Sequence, residues 1–204
     1  MDFTGLSFAE FTEQLSSRAP VPGGGGASAV ACALGVSLGA MVGNLTIGKK
    51  KYAENEASLR KLTEKAEDLR VRLLNCVNAD AEAFEPLSRA YGIPKDAPER
   101  AETMEKCLRR AAESPFEILT ASCEAIELLR EFAEKGSALA VSDAATGAVL
   151  CWGAMYGAAV NVKVNTKYMT DRAYAEGLNA RVDEMMNKYW KIAEAVYESV
   201  YSRL

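Results

Sequence analysis

The chain has 204 residues, 49% hydrophobic and 25% charged, enough for one domain, residues 1–204, with a sizeable core. Its net charge of −4 offers no footprint for nucleic acid. It has no histidine, which removes the commonest general base, the commonest metal ligand and every Ser–His or Cys–His nucleophile; acid–base work falls to Asp, Glu, Lys, Tyr or Cys.

The elements follow a helical period almost throughout. Ser7 and Glu10 form a capping box that opens a short helix with Phe8, Phe11 and Leu15 turned inward, and Pro20 and Pro22 end it. Four glycines, Gly23 to Gly26, come next and are expected as a loop. Residues 27–47 carry no charge and are long enough to span a bilayer. They are built from Ala, Gly and Ser more than from Leu or Ile, and predict a buried helix, apolar all round. A long amphipathic helix over about 50–90 has an inward stripe of Leu59, Leu62, Ala66, Leu69, Leu73, Cys76, Asp80, Ala83 and Leu87, ended by Gly92 and Pro94.

Asp96 with Glu99 predicts a helix to about Glu113. Ser114 then reads as the N-cap and Pro115 as the first residue of a new or kinked helix to Lys135, stopped by Gly136. Residues 137–162 repeat the small-residue texture of 27–47, with Gly147, Gly153 and Gly157 among them and Asp143 as the one charge. Gly35 and Gly153 are expected to be close-packing positions. The last helix starts near Thr170 and runs to the end, its stripe Val182, Met186, Tyr189, Ala193, Val196 and Val200. No strand pattern or repeat is present. The expected fold class is all-α: one helical bundle of six to eight helices, its two small-residue helices packed as a central pair that a second subunit could share.

Five scattered cysteines form no C-x-x-C pair and fit reduced cytosolic thiols; their spacing offers no zinc site. The N-terminal segment has neither a basic nor an apolar signal region, so no signal peptide is expected.

The candidate functional residues each have a structural alternative. Gly23, Gly24, Gly25 and Gly26 lack the Gly-Lys-Ser/Thr ending of a phosphate loop and follow no strand. Just before a helix they either expose N–H groups to a ligand or permit tight packing. Lys49 and Lys50 either favour a helix C-terminus or anchor a carboxylate substrate. Asp80 puts a carboxylate on an apolar seam, where it costs several kcal/mol unless it is paired or hydrogen-bonded. Asp143 is similar, with Ser142-Asp143 as an alternative cap of a local helix break. Asn161 and Asn165 share a face and either bind a ligand or brace helices. Cys76, one turn from Asp80 and without a basic partner, is core.

Taken together, Pro22-Gly-Gly-Gly, Leu34-Gly35, Leu38-Gly39, Met41-Val42, Leu45-Thr46 and Gly48-Lys49-Lys50, then "DAEAF" (80–84), "KGSALAVSD" (135–143) and "NVKVN" (161–165), occur in an order that resembles the formiminotetrahydrofolate cyclodeaminase/methenyltetrahydrofolate cyclohydrolase family over essentially the whole chain. "FEPLSRAYG" and "NTKYMTDRAYAEGLN" are most similar to its free-standing bacterial cyclohydrolase branch. Relatives fused to a formiminotransferase domain often carry Ser directly after three glycines; here that position is Gly26, and Ser28 is the nearest hydroxyl.

The resemblance implies a cytoplasmic all-helical homodimer acting on folate one-carbon units, with no metal or organic cofactor, no membrane and no nucleic acid. A separate formiminotransferase or other folate enzyme is a possible partner. It puts the catalytic role on Asp80 and makes the glycine run, Ser28, Lys49, Lys50, Asp143, Asn161 and Asn165 candidates for substrate contact. The implied reaction is hydrolysis of 5,10-methenyltetrahydrofolate to 10-formyltetrahydrofolate. The alternatives are formiminotetrahydrofolate cyclodeaminase activity, releasing ammonia, and a non-enzymatic helical dimer or folate-binding module.

Overall fold

The structure is a computed structural model and describes residues 2–203. Among these residues there are six α-helices and no strand: α1 Phe8–Ser16, α2 Gly24–Thr46, α3 Glu56–Ala90, α4 Arg100–Lys135, α5 Val141–Thr166 and α6 Arg172–Tyr201, with a 3₁₀ turn over Lys50–Asn55 before α3. The chain end at Leu204 lies outside the described residues. The all-α expectation holds.

α2 and α5 pack against each other, with α3 and α4 forming the other wall of the core and α6 lying across α5 and α4. The small residues explain why the two central helices come so close. A Cβ on Gly35 would lie 2.7 Å from the Gly147 carbonyl oxygen and 2.5 Å from Cys151 Sγ; one on Gly147 would lie 2.6 Å from the Gly35 carbonyl oxygen. Backbone meets backbone there, so no side chain fits at either position. Gly39 and Gly43 leave room for the Phe132 ring of α4, at 2.9 and 2.8 Å from their would-be Cβ atoms. α2 packs against three helices, α3, α4 and α5, and these sides carry no charge. α2 and α5 are each long and apolar enough to cross a bilayer, yet half or more of each apolar window is buried within the bundle.

Several expectations are corrected. In α1 only Phe11 is buried, while Phe8 is 67% exposed and Leu15 is also solvent-facing, because a helix of nine residues covers the bundle with one turn. The capping box of Ser7 and Glu10 is present. α4 is one unbroken helix: Ser114 is not an N-cap, and Pro115 is buried inside it. Proline has no N–H, so the Ala111 carbonyl four residues earlier loses its helical donor. The side-chain amide of Asn165 supplies the replacement, with Nδ2 donating to Ala111 O at 2.9 Å. Asp96 caps nothing, since α4 begins at Arg100 after a Glu99 N-cap in helical conformation. Gly153 has no atom within 4 Å of a would-be Cβ, so it is not a close-packing position within this chain. The apolar residues of the α3 stripe are all buried.

The glycine contacts predict a sharp contrast. Gly35→Ala or Gly147→Ala should destabilise the fold by about 1–3 kcal/mol through overpacking. Gly177→Ala, on α6 with open space around its would-be Cβ, should raise the melting temperature slightly by helix propensity. Equal melting curves for Gly35→Ala and Gly177→Ala would contradict close packing at Gly35.

Candidate active site

The glycine run is not a loop. Gly23 is the N-cap and Gly24, Gly25 and Gly26 form the first turn of α2. First-turn N–H groups have no acceptor in their own helix and carry the positive end of its dipole. The N–H of Gly26 donates to Asp80 Oδ2 at 3.0 Å. A Cβ on Gly25 would sit 2.3–2.5 Å from all three atoms of the Asp80 carboxylate. Only glycine lets the carboxylate of α3 rest on the end of α2. One residue back, a Cβ on Gly24 would lie 2.9 Å from Asn161 Nδ2. The seam residue and the glycine run, separate signals in the sequence, are one feature in space.

Asp80 is half-buried, and its carboxyl titrates above the ordinary aspartate range. Desolvation is the main cause; the N–H of Gly26 opposes it by favouring the ionised form. Stability therefore declines as pH rises from the unfolded-state value through the raised folded value, because the folded protein must then carry a desolvated charge.

Asn161 and Asn165 join this end of the bundle through the last turns of α5. Asn161 Nδ2 donates to the Gly157 carbonyl at 2.8 Å and lies over Gly24. Asn165, buried, donates to Ala111 O and to Asn161 O, each at 2.9 Å, so its amide serves as the cross-brace. Ser28 is also structural: its hydroxyl donates to the Gly24 carbonyl at 2.7 Å and fills the space that a side chain on Gly157 would need. A cavity of about 370 Å³ borders the site through Val77, one turn before Asp80, and is walled by Phe3, Phe8, Phe11, Val30 and Leu74.

Lys49, Lys50 and Asp143 are not brought to Asp80. They lie past the C-terminus of α2 and at the start of α5, about 30 Å from Gly26 along α2 at about 1.5 Å per residue. Lys49 Nζ donates to Ser137 Oγ at 3.2 Å, and the Ser137 N–H donates to Thr46 Oγ1 at 2.8 Å. Tyr52, not singled out in the sequence, accepts the Ala138 N–H at 3.0 Å; this bond and the Ser137 hydroxyl draw its phenol below the usual tyrosine range. Asp143 occupies the first turn of α5 and does not mark a helix break.

The cysteines are free thiols. Burial pushes Cys76 up to about 11 and Cys123 to about 12, so neither is a nucleophile at neutral pH. The acid–base group at the α2 end is the Asp80 carboxyl, raised above the ordinary aspartate range by desolvation and held against the N–H of Gly26 in a partly dehydrated place. That combination suits accepting a proton from water and stabilising an adjacent cationic carbon.

Comparison with known proteins identifies the family. The family described as formiminotransferase-cyclodeaminase matches residues 7–184. A methenyltetrahydrofolate cyclohydrolase of Methylorubrum extorquens is 39% identical over 95% of both chains. The formimidoyltransferase-cyclodeaminase of Mus musculus is 29% identical over 97% of this chain, which spans 37% of that longer protein. The crystal structure of formiminotetrahydrofolate cyclodeaminase from Thermotoga maritima superposes with a TM-score of 0.83 at 28% identity, covering 97% of this chain and 95% of that one.

Two outcomes test the site. Gly25→Ala should push the Asp80 carboxylate off the α2 end and abolish most activity while leaving the helical circular dichroism unchanged. Asp80→Asn should leave stability unharmed or improved at neutral pH, an advantage that disappears below the ordinary aspartate range, where both forms are neutral. Thermal midpoints of both proteins between pH 3 and 8 measure this.

Proposed function

The chain belongs to the formiminotransferase-cyclodeaminase family, and from that premise we propose that it is an enzyme of folate one-carbon metabolism, hydrolysing 5,10-methenyltetrahydrofolate to 10-formyltetrahydrofolate with Asp80 as the general base. The observation that carries the reading is the Asp80 carboxylate seated on the first turn of α2, in the space that a side chain on Gly25 would take. The greater identity to a free-standing cyclohydrolase than to the fused cyclodeaminase favours hydrolysis over ammonia release.

The substrate's amidinium carbon is cationic and electrophilic. Asp80 takes a proton from water as its oxygen bonds to that carbon. The adduct then loses its hydroxyl proton as the carbonyl forms, and the bond to N5 breaks. N5 takes up one proton, so one is released overall. The carboxylate also stabilises the cation before attack, which lets the chemistry proceed without histidine, metal or organic cofactor. On 5-formiminotetrahydrofolate the same carboxyl, protonated, would assist departure of ammonia. The cavity beside Val77, walled mostly by apolar side chains with Arg70 at its edge, offers a surface to an aromatic portion of the substrate.

The reading includes a homodimer. α2 exposes Leu34, Met41 and Leu45, and α5 exposes Val149, Tyr156, Val160 and Val164. With the two helices antiparallel and in contact at Gly35 and Gly147, these stripes fall on the outward side of the pair, an uncharged face of the kind that a second copy covers. In the pairing proposed, the two-fold axis crosses α2, so that one α2 runs antiparallel to the other. It sets the Lys49 end of one protomer beside the Asp80 end of its partner, where Lys49 and Lys50 can meet the glutamate carboxylates of a folate.

Absorbance of methenyltetrahydrofolate on adding purified protein tests the reaction. Asp80→Asn should lower kcat about 10²–10⁴-fold; a folded variant keeping more than about a tenth of the activity places the base elsewhere. Replacing Lys49 and Lys50 with Ala should raise KM more than it lowers kcat, with the difference shrinking at high salt. Light scattering should give a dimer, and Met41→Asp with Val149→Asp a folded monomer with little activity.

A further inference from the structure

Ser114 lies inside α4 beside Pro115, and its hydroxyl is unusual for this chain. Six other buried or half-buried helical hydroxyls are spent within their own helix: Ser28, Ser37, Thr46, Thr63, Thr120 and Ser122 each donate to the carbonyl four residues earlier, at 2.7 to 3.0 Å. This back-bond is the default for an alcohol inside a helix. Ser114 does not make it. Its Oγ is fully buried and has no hydrogen bond of ordinary geometry to any protein group. A buried hydroxyl left this way costs about 1–3 kcal/mol unless something else engages it.

The packing of α3 on α4 says what that is. Arg72 of α3 pairs with Glu117 and Glu124 of α4, the latter at 2.7 Å, which centres Arg72 near Ala121. The helices are antiparallel, so Asp80, two turns further along α3, faces the turn of α4 that holds Ser114. Pro115 fixes this turn, because Asn165 clamps the carbonyl it frees. We infer that Ser114 is a positioning residue for Asp80: α4 withholds its hydroxyl from the helix so that it donates to the carboxylate, as the N–H of Gly26 does from α2, and keeps Asp80 in its proton-accepting form.

No full charge near Asp80 does this work instead. α2 contains no charged residue, and α3 presents the neutral thiol of Cys76 one turn away. On α4, Glu117 is paired with Arg72 and Glu113 is exposed, while α5 presents the amide of Asn161. Against desolvation stands the N–H of Gly26, and a hydroxyl donated by Ser114 would be the second donor; each favours the ionised carboxylate. Removing one should raise the pH at which Asp80 loses its proton.

The inference rests on Asp80 being the working base, and its test separates the two ideas. The first measurement needs no catalysis: the melting-temperature difference between a protein and its Asp80→Asn counterpart, followed against pH, reports where Asp80 titrates. In Ser114→Ala that midpoint should move up by about one pH unit, a tenfold change in proton affinity. Ser114→Thr should restore it, and Ser114→Cys, a weak donor of similar shape, should behave like Ala. The second measurement is the acid limb of kcat/KM for methenyltetrahydrofolate hydrolysis, which should move by the same amount. A stability midpoint that shifts while hydrolysis is undetectable supports Ser114 and rejects the proposed reaction. A midpoint that is unchanged in both Ser114→Ala and Ser114→Cys overturns the inference whatever the activity.

Discussion

The contact on which the site depends is a carboxylate resting on the first turn of a helix. Asp80 reaches the amide of Gly26 at 3.0 Å because Gly25 has no side chain to hold it away. The contact answers two costs at once. The first-turn N–H groups of α2 need acceptors, and a desolvated carboxylate needs donors. The donors are too few to cancel desolvation, so the carboxyl stays above its ordinary range. A fully satisfied aspartate would be a poor base, and a wholly unsatisfied one would be protonated.

The rest of the bundle holds this contact in place by close approach of backbones. Gly35 and Gly147 let α2 and α5 touch, and Phe132 of α4 fills the space beside Gly39 and Gly43. Pro115, destabilising in an isolated helix, is accommodated because Asn165 of α5 binds the carbonyl it frees. That bond ties α5 to α4 one turn from Ser114. The two asparagines of "NVKVN" thus divide their work: Asn165 braces the helices, and Asn161 closes over Gly24.

Length and small-residue content make α2 and α5 resemble membrane spans, but their surroundings account for the composition. The sides of α2 packed on three other helices have no position for a charge, and where a helix touches its neighbour through backbone it has no position for a large side chain. What remains apolar and outward on both helices lies on one side, between the glycine end and the lysine end of the chain.

Much of this was legible in the sequence. A stripe at steps of three and four predicted α3 and picked out Asp80 as its one charged member, because helical period alone determines which residues share a face. Small uncharged segments marked the central pair, and the order of motifs marked the family. Local signals misled where tertiary partners outweighed them. Ser-Pro-x-Glu looks like a helix start, yet α4 runs through it because another helix satisfies the orphaned carbonyl. Four glycines look like a loop, yet they begin a helix because a carboxylate and an amide press on its first turn. A helix of this length also carries Lys49 and the glycine run about 30 Å apart within one chain, a separation that the order of motifs does not show. The sequence by itself determined the period, the charge pattern and hence the helices and their buried faces, since these depend on near neighbours. Only the tertiary structure decided which residues meet, because Asp80, Gly26, Ser114 and Asn165 come from four helices, and their spacing in space depends on how closely those helices pack.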